Sequence, residues 1–396
     1  MIYLDNAATT AVCKKSIKQL LKWNKKYGNS ESVYKIGREA SVEVEKVRDF
    51  IKEAIGALNA AQIVFTSGGC EGNSTAIKSM VLEVFQTNKP ISIAITGMEH
   101  HSVINSVKWA EKFFNAKIYY LPLKNGRIDT EQVIRTEFFK RNNINACSII
   151  WGNNETGAVQ LDIGILLREA QQNGVLIHVD AVQIVPHFGV TVLKAITDQR
   201  KCKADYITFS GHKIGAPKGI GVLYCANPDN LIPLIDGGEQ EGGKRGGTIN
   251  VGLISSLGAA VEAVNADFPI ILRSEFYSYI RYIYENLIIP ENLSLNNPLA
   301  LMADDGFMGI VNIDCKEESA PIVAFLDMHG ICVSTGSACN GGGNYSYVLE
   351  KMGLNPRTSL RVSFSAKTKI KDIKIFVKRM HEYFALTKKL KEGDLM

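Results

Sequence analysis

A lysine on a glycine-rich loop is the residue of this sequence with the clearest chemical potential. Lys213 lies in Ser210-Gly211-His212-Lys213-Ile214-Gly215, between short apolar runs at residues 206–209 and 220–224. These runs predict buried strands, and the glycines predict a break in regular structure between them. A lysine shielded on such a loop loses pKa and becomes a nucleophile towards carbonyl compounds, with which it forms a Schiff base. The alternative is an ordinary surface lysine.

Two further predicted strands end in groups that could bind a charged ligand. The run at residues 63–66 leads into Ser67-Gly68-Gly69-Cys70. Backbone N–H groups on such a turn, ahead of a helix, can hold a phosphate, although an ordinary strand-to-helix turn has the same pattern. The run at 175–180 ends in Asp180, whose carboxylate could keep a pyridine nitrogen protonated or could simply cap the next helix.

An imidazole and an amide complete the set. His100 follows the predicted strand at residues 92–96, where its ring could stack on a flat ligand and move protons, or could be a plain loop histidine. Asn154 follows the strand at 147–152, where its amide could bond a hydroxyl of the same ligand. Since ligands of open α/β sheets bind beyond the carboxyl ends of the strands, these groups are expected to meet. A phosphate turn, an aspartate, a histidine, an amide and a lysine together fit pyridoxal 5'-phosphate.

The elements that position these residues predict an α/β protein with a seven-stranded, mostly parallel sheet. Strand-like runs alternate with helical segments of ten or more residues, which is typical of a parallel sheet covered by helices. The predicted strands are residues 63–66, 92–96, 117–121, 147–152, 175–180, 205–210 and 219–225.

The pattern changes after the glycine-rich loop at residues 237–247. A helix is predicted from Val251 to about Asn265, followed by strands near residues 308–314, 331–334 and 360–364. We therefore predict a large domain at 13–255 and a smaller α+β domain formed by 1–12 and 256–396. A chain of 396 residues exceeds the usual size of one hydrophobic core, which favours this division.

Composition excludes several classes of function. Charged residues make up 21% of the chain and the net charge is only +5, which does not favour direct binding of nucleic acid. No apolar run approaches the ~20 residues of a membrane helix, and the first residues lack the basic and apolar blocks of a secretion signal. The eight cysteines form no CxxC pair, which favours reduced thiols in the cytoplasm, and no metal ligand set is predicted.

Motifs spread over nearly the whole chain resemble one enzyme family. The sequence is similar to the NifS/IscS-like cysteine desulfurases, within the class-V aminotransferases of the fold-type I pyridoxal-phosphate enzymes. The matching motifs are Tyr3-Leu4-Asp5-Asn6-Ala7-Ala8-Thr9-Thr10, Tyr27-Gly28-Asn29, Phe65-Thr66-Ser67-Gly68, Glu99-His100, Asn153-Asn154-Glu155-Thr156-Gly157, His178-Val179-Asp180-Ala181-Val182-Gln183, Ser210-Gly211-His212-Lys213 and Ser334-Thr335-Gly336-Ser337-Ala338-Cys339.

The resemblance implies a role for individual residues. It implies that Lys213 forms the Schiff base with the cofactor, that Asp180 pairs with its pyridinium and that His100 stacks on its ring. The ring hydroxyl would be bonded by Asn154 and Gln183, and the phosphate would be held by Gly69, Cys70, Ser210 and His212. The substrate would be bound by Arg361 and Asn154, and Thr248 would reach the cofactor phosphate of a partner subunit in a homodimer.

Cys339 decides which reaction the resemblance implies. It precedes Asn340-Gly341-Gly342-Gly343-Asn344, a segment too rich in glycine to be rigid, whereas Cys147 and Cys225 fall inside predicted strands and are expected to be structural. A thiol on a flexible loop can take sulfur from L-cysteine as a persulfide, leave L-alanine, and pass the sulfur on. The implied acceptor is a protein such as an iron–sulfur scaffold or a tRNA thiolation enzyme.

The sequence departs from the family pattern at several positions. Cys70 stands where threonine is usual, Ser30 where proline is, and Tyr34 where histidine is; Glu239 interrupts a triple glycine, and Ser365-Ala366 replaces a Gly-Arg pair. None of these changes removes a catalytic group.

The alternative functions are a selenocysteine lyase, a class-V aminotransferase, which would have no use for Cys339, and an inactive scaffold for iron–sulfur assembly.

Overall fold

The computed structural model describes residues 1–197, 202–267, 270–297, 308–335 and 345–392. The strands in these ranges are β1 (Ile2–Tyr3), β2 (Ile63–Thr66), β3 (Ser92–Ile95), β4 (Lys117–Tyr120), β5 (Leu123–Lys124), β6 (Arg127–Ile128), β7 (Ala146–Ile150), β8 (Leu176–Asp180), β9 (Tyr206–Ser210), β10 (Gly221–Cys225), β11 (Ser294–Leu295), β12 (Ile310–Asp314), β13 (Ile331–Cys332) and β14 (Ser359–Ser363).

The helices alternate with these strands through most of the chain. They are α1 (Lys14–Lys26), α2 (Lys35–Ile55), α3 (Gly69–Gln86), α4 (His101–Phe114), α5 (Thr130–Arg135), α6 (Phe138–Arg141), α7 (Ile163–Gln172), α8 (Val185–Phe188), α9 (Val251–Asp267), α10 (Ile270–Ile283), α11 (Ser319–Met328), α12 (Tyr347–Lys351) and α13 (Ile370–Glu392). None of the helices in the described ranges is both long and apolar enough to cross a membrane.

The chain divides into two compact units. The larger unit comprises Ala11–Gly152 and Gln160–Phe268, and the smaller comprises Met1–Thr10, Asn153–Val159 and Pro269–Met396. The boundary predicted at residue 255 lies inside helix α9, which belongs to the larger unit as a whole. The short segment Asn153–Val159 was predicted in the large domain but belongs to the smaller unit.

A seven-stranded sheet forms the centre of the larger unit. Its strand order is β2-β10-β9-β8-β7-β3-β4, and β10 alone runs antiparallel to its neighbours. All seven predicted strands are present in it, shortened by one or two residues at some ends. Six of them, all except β4, are buried along almost their whole length, as expected for strands covered on both faces. The carboxyl ends of the six parallel strands lie along one edge of the sheet.

The smaller unit has its own sheet and core. Strands β11, β12 and β14 form an antiparallel sheet, and β1 pairs in parallel with β13. Apolar side chains of α10, α11 and α13 pack on these strands and form one buried cluster with Leu4. The N-terminal arm is therefore part of this core, and the smaller unit contains Met1–Thr10 of the predicted segment 1–12.

Candidate active site

The carboxyl edge of the large sheet brings together the lysine, the aspartate and the histidine that the sequence singled out. Lys213 ends a short 3-10 turn, Gly211–Lys213, that directly follows β9. Asp180 is the last residue of the neighbouring strand β8, and His100 precedes α4 after strand β3. The charge of Lys213 acts on the pKa of both Asp180 and His100, so the three groups occupy one place.

Asp180 is a buried carboxylate whose two oxygens are both used. Oδ1 accepts from the backbone N–H of Val182 at 2.9 Å, and Oδ2 accepts from Nδ2 of Asn73 at 2.7 Å. Burial raises the pKa of the Asp180 carboxyl, although the Val182 N–H, His100, Asn73 and Lys213 act in the opposite direction. The contact with Val182 is a local turn and not the helix cap of the alternative interpretation, because the N-cap of the next helix, α8, is Ile184. Asp180 is therefore a buried carboxylate at the strand end.

His100 is more than a loop histidine, because its side chain caps a helix. It is the N-cap residue of α4, and its Nδ1 accepts from the backbone N–H of Ser102 at 3.1 Å. The Ser102 hydroxyl lies 2.8 Å from the same nitrogen. Burial lowers the pKa of His100, as do His101 and Lys213, whereas Asp180 raises it.

The predicted phosphate turn lies between β2 and the first residues of the long helix α3. Gly68 has a φ of +153°, which side chains rarely allow, and a Cβ built there would lie 3.7 Å from Oγ of Ser210. A Cβ built on Gly69 would lie 2.9 Å from Val182 Cγ2, so a side chain there would force a shift. The turn is therefore bare backbone beside the end of β9, and Cys70 is exposed on the first turn of α3.

The other predicted cofactor contacts of the larger unit are placed as follows. Gln183 is buried three residues after Asp180. His212 is half-buried beside Lys213, and burial together with the charges of Lys213 and Lys218 lowers its pKa to about 4. Thr248 is exposed on the loop after the 3-10 turn Gln240–Gly243, as a group that serves another subunit would have to be.

Two ion pairs fix the glycine-rich loop, one to helix α2 and the other to helix α3. Glu241 adopts a left-handed conformation, with φ of 53°, and its carboxylate forms two hydrogen bonds of 2.8 Å with the Arg48 guanidinium. Four residues later, Arg245 pairs with Glu71 of α3, with Nε 2.9 Å from Oε1. Glu71 in turn accepts from the backbone N–H of Ser67 at 2.8 Å. The loop that carries Thr248 is thus held against the phosphate turn of its own unit.

The first of these ion pairs also covers the free edge of the large sheet. Strand β2 is the last strand on its side, so its outward N–H and C=O groups have no neighbouring strand. Glu241 accepts from the N–H of Phe65 at 2.8 Å, and Arg48 donates to the C=O of Ile63 at 2.7 Å. The guanidinium also lies 4.8 Å from the centre of the Phe65 ring. One buried ion pair therefore makes the hydrogen bonds to the edge of β2 that a neighbouring strand would otherwise make.

Arg361, the predicted substrate residue, belongs to the smaller unit. It lies in β14, is 1% exposed, and pairs with Asp5 through Nη2 at 2.7 Å. Its Nη1 donates to the C=O of Asn154 at 3.0 Å, and its buried Nε has no hydrogen-bond partner among the described residues. The N-terminal arm and the segment after β7 thus position the guanidinium, and Nε remains as a buried donor.

The remaining predicted catalytic residue, Cys339, lies outside the described residues, as do Gly336 to Ala338 of its motif. Ser334, at the start of that motif, exchanges two backbone hydrogen bonds with Arg361. Cys147 and Cys225 are buried in β7 and β10, as predicted, and burial raises the pKa of both thiols. No group of three His, Cys, Asp or Glu side chains that could hold a metal ion occurs in the described ranges.

Sequence reasoning missed four residues that organise the larger unit. Asn73 and Ser102 join Asp180 to His100, and Glu241 anchors the glycine-rich loop. Glu99, next to His100, is wholly buried, and its Oε1 accepts from the Thr96 hydroxyl and the Ile150 N–H. The sequence signal available for Asn73 was a polar residue inside a predicted helix. A single polar side chain on a helix forms no distinctive pattern, so this signal does not indicate a functional role.

The comparisons with known proteins identify the family. The class-V aminotransferase family matches residues 2–376, and the chain belongs to that family. Within it, the relatives are cysteine desulfurases: cysteine desulfurase IscS of Dictyoglomus turgidum is 34% identical over 346 residues, which cover 86% of this chain and 82% of that protein. The chain thus groups with the NifS/IscS-like cysteine desulfurases, as the motifs predicted.

Solved structures agree with this grouping. A NifS-like protein superposes with a TM-score of 0.85 at 25% identity, over 97% of this chain and 99% of the other. A structure of SspA in complex with cysteine has a TM-score of 0.75 at 29% identity, over 93% of this chain and 100% of the other. The predicted fold, a fold-type I transferase with a mostly parallel seven-stranded sheet, is therefore confirmed.

Pyridoxal 5'-phosphate is the cofactor of this family, and the residues of the larger unit fit it. A glycine turn at the start of an 18-residue helix offers backbone N–H donors to a phosphate. A side chain at Gly69 would strike Val182, so the backbone at this position is not covered by a side chain of its own. Burial disfavours the negative charge of the Asp180 carboxylate, and a cationic ring nitrogen beside it would stabilise that charge. Lys213 lies close enough to Asp180 for its charge to lower the pKa of that carboxyl.

Proposed function

We propose that this protein is a pyridoxal-phosphate-dependent L-cysteine desulfurase, which converts L-cysteine to L-alanine and transfers the sulfur to Cys339. The observation that carries the proposal is the meeting of Lys213, Asp180 and His100 at the carboxyl edge of one sheet. The names of the relatives and the cysteine bound to the SspA structure support the choice of reaction and substrate.

The proposal assigns the cofactor contacts to individual residues. Lys213 would hold the cofactor covalently, Asp180 would pair with its ring nitrogen, and His100 would stack on its ring. Asn154 and Gln183 would bond its ring hydroxyl, and the phosphate would take Gly69, Cys70, Ser210, His212 and Thr248 of the partner subunit. When bound, the cofactor supplies an electron sink that stabilises negative charge on the substrate α carbon.

The protein's own residues then bind the substrate and move its proton. Arg361 would hold the carboxylate of L-cysteine, helped by Asn154, and its buried Nε is a donor still available for that task. The amine of Lys213, placed after β9, would take the proton from the α carbon and later return one.

Cys339 would carry out the sulfur transfer. Its thiolate attacks the substrate sulfur, so a sulfur–sulfur bond forms while the bond between that sulfur and the substrate β carbon breaks. The electron pair of the broken bond stays with the carbon, which takes a proton and leaves as L-alanine. The persulfide on Cys339 then passes its outer sulfur to the thiolate of an acceptor.

The proposal includes partners and a location. We expect a cytoplasmic homodimer, because Thr248 is exposed on a loop fixed to its own unit and would serve the other subunit. The acceptor would be a protein such as an iron–sulfur scaffold or a tRNA thiolation enzyme. Reduced cysteines in the described ranges are consistent with a reducing compartment.

One experiment tests the reaction directly. The purified protein is loaded with pyridoxal phosphate and incubated with L-cysteine, with and without a reductant, and alanine and sulfide are measured. We expect one sulfide per alanine with reductant, and less than one sulfide per alanine without it, because sulfur then remains on the enzyme. Transfer of the amino group to a 2-oxo acid with no alanine from cysteine would instead indicate an aminotransferase, and neither product would indicate an inactive scaffold.

A further inference from the structure

A chain of hydrogen bonds joins Asp180 to His100 through Asn73 of α3 and Ser102 of α4. Nδ2 of Asn73 lies 2.7 Å from Oδ2 of Asp180 and 2.9 Å from Oγ of Ser102. Oγ of Ser102 lies 2.8 Å from Nδ1 of His100. All four residues belong to the larger unit, and the chain of bonds links two groups that the cofactor would contact on different parts of its ring.

The direction of every bond in this chain is determined. An ionised Asp180 can only accept, so the amide nitrogen of Asn73, rather than its oxygen, must face it. The second hydrogen of that amide points to Ser102 Oγ, which must then direct its own hydrogen to His100. The oxygen of Asn73 is buried without a hydrogen-bond partner among the described residues, so it imposes no other orientation on the amide.

Two donors therefore converge on Nδ1 of His100. One is the Ser102 hydroxyl, and the other is the Ser102 backbone N–H at 3.1 Å, whose direction is fixed by α4. A ring nitrogen that accepts from a backbone N–H cannot carry a proton itself, so the proton of the neutral ring is on Nε2.

The position of His100 at the start of helix α4 also favours the neutral form of its ring. His100 is the N-cap of α4, where the unpaired N–H groups give the helix end a positive partial charge. A second proton on the ring would place a cation at that end and would remove the acceptor of the Ser102 N–H. Lys213 and His101 also disfavour the cation, whereas Asp180 favours it.

We propose that Asn73 and Ser102 are positioning residues that hold the His100 ring as its neutral tautomer with the proton on Nε2. The inference rests on the proposed function, in which His100 stacks on the cofactor. It deepens that role: His100 presents a fixed N–H donor at Nε2, its Nδ1 is closed to proton transfer, and the α proton of the substrate is left to Lys213.

The test uses nitrogen-15 NMR of the cofactor-loaded protein labelled at its seven histidines, with the His100 signals assigned by their loss in His100→Gln. In the wild type we expect an unprotonated Nδ1 and a protonated Nε2 at neutral pH, because burial lowers the pKa of His100. Ser102→Ala removes the hydroxyl donor but keeps the backbone N–H, so it should raise the titration midpoint of His100 while Nδ1 stays the unprotonated nitrogen of the neutral ring.

Ser102→Thr is the matched control, because it keeps a hydroxyl at the same position and should restore the wild-type signals. Asn73→Ala serves as a second variant if Ser102→Ala does not fold, and should shift His100 in the same direction. A proton on Nδ1 in the wild type, or identical His100 signals in Ser102→Ala and the wild type, would overturn the proposal. Since the readout requires no turnover, it stands apart from the alanine assay that tests the proposed function.

Discussion

Arg361 and Ser334 are joined by backbone hydrogen bonds in both directions, with N–O distances of 2.7 and 3.1 Å. One of these residues carries the guanidinium that we propose for the substrate carboxylate, and the other begins the motif that ends in Cys339. Five residues span at most about 17 Å, which limits the separation that the chain allows between the Cα atoms of Ser334 and Cys339. Under the proposed function, the substrate-binding residue is thus bonded to the residue from which the chain leads to Cys339.

Replacement of Cys339 by serine should separate cofactor binding from sulfur transfer. We expect Cys339→Ser to bind pyridoxal phosphate and L-cysteine normally but to form alanine about 10²-fold more slowly or worse, because no thiolate attacks the substrate sulfur. Absorbance spectra and alanine measurements check both parts. Cys332→Ser in β13 is the control, with activity near that of the wild type. Persulfide mass on Cys332 while Cys339 is intact would contradict the assignment.

Lys213 should be the residue that holds the cofactor covalently. Reduction with borohydride should fix a pyridoxyl group on the peptide that contains Lys213, and Lys213→Ala should lower alanine formation by about 10²–10⁴-fold because the proton carrier is lost. Lys218 is an exposed lysine five residues along the same loop and serves as the control. Peptide mass spectrometry checks the site, and a label on Lys218 would refute the prediction.

Cys70 should weaken the hold on the cofactor phosphate. A thiol is a poor hydrogen-bond donor, whereas a threonine hydroxyl at the start of α3 could donate to a phosphate oxygen. Such a bond to a charged group is worth about 1.5–3 kcal/mol, so Cys70→Thr should tighten binding by about 10- to 100-fold. Dissociation constants of the cofactor provide the measurement. Unchanged or weaker binding would mean that the backbone alone holds the phosphate.

The ion pair between Arg48 and Glu241 should be a large contribution to stability. Both side chains are at least 92% buried, so Glu241→Gln leaves a buried arginine without its counter-charge and should lower the free energy of unfolding by about 3 kcal/mol. The matched control is Glu45→Gln, which removes the other carboxylate on Arg48. Glu45 is 57% exposed, and its loss should cost less than about 1 kcal/mol. Urea denaturation compares the two, and equal losses would refute the distinction.

Glu99 should make the protein less stable as the pH rises. Burial raises the pKa of its carboxyl from 4.5 to about 8. The folded protein therefore keeps a proton that the unfolded chain releases, so the contribution of Glu99 is fully present below pH 4.5 and is lost as the pH rises to about 8. Glu99→Gln keeps a neutral group of the same shape and should flatten this decline. Urea midpoints at several pH values check it, and parallel curves for both proteins would exclude Glu99 as the cause.

The large sheet was predictable because each strand is a continuous apolar run between glycines or polar residues. The ends that carry Asp180 and Lys213 were predictable for the same reason, since strand ends of a parallel sheet meet at one edge. The smaller unit was not fully predictable. Asn153–Val159 joins it because Gly157, at φ of +76°, packs against the backbone of Ile310, where a Cβ would lie 2.5 Å from the carbonyl oxygen. No local sequence pattern indicates such a contact.

The polar network could not be predicted for a related reason. Arg48 and Glu241 are 193 residues apart, and neither has a neighbour in sequence that marks it as half of a buried pair. Asn73 and Ser102 are likewise ordinary helix residues until the fold places α3 and α4 side by side. Local sequence patterns specify backbone elements, whereas pairs of distant polar groups are specified only by their packing.

The covered edge of β2 has a consequence for the behaviour of the chain among other chains. An open strand edge is a template onto which a foreign extended segment can add itself, and this is a common route to aggregates. Here an incoming strand would have to displace a buried guanidinium and carboxylate from the Ile63 carbonyl and the Phe65 amide before it could pair. The ion pair that anchors the glycine-rich loop thus also protects the sheet from growth by recruitment of other polypeptides.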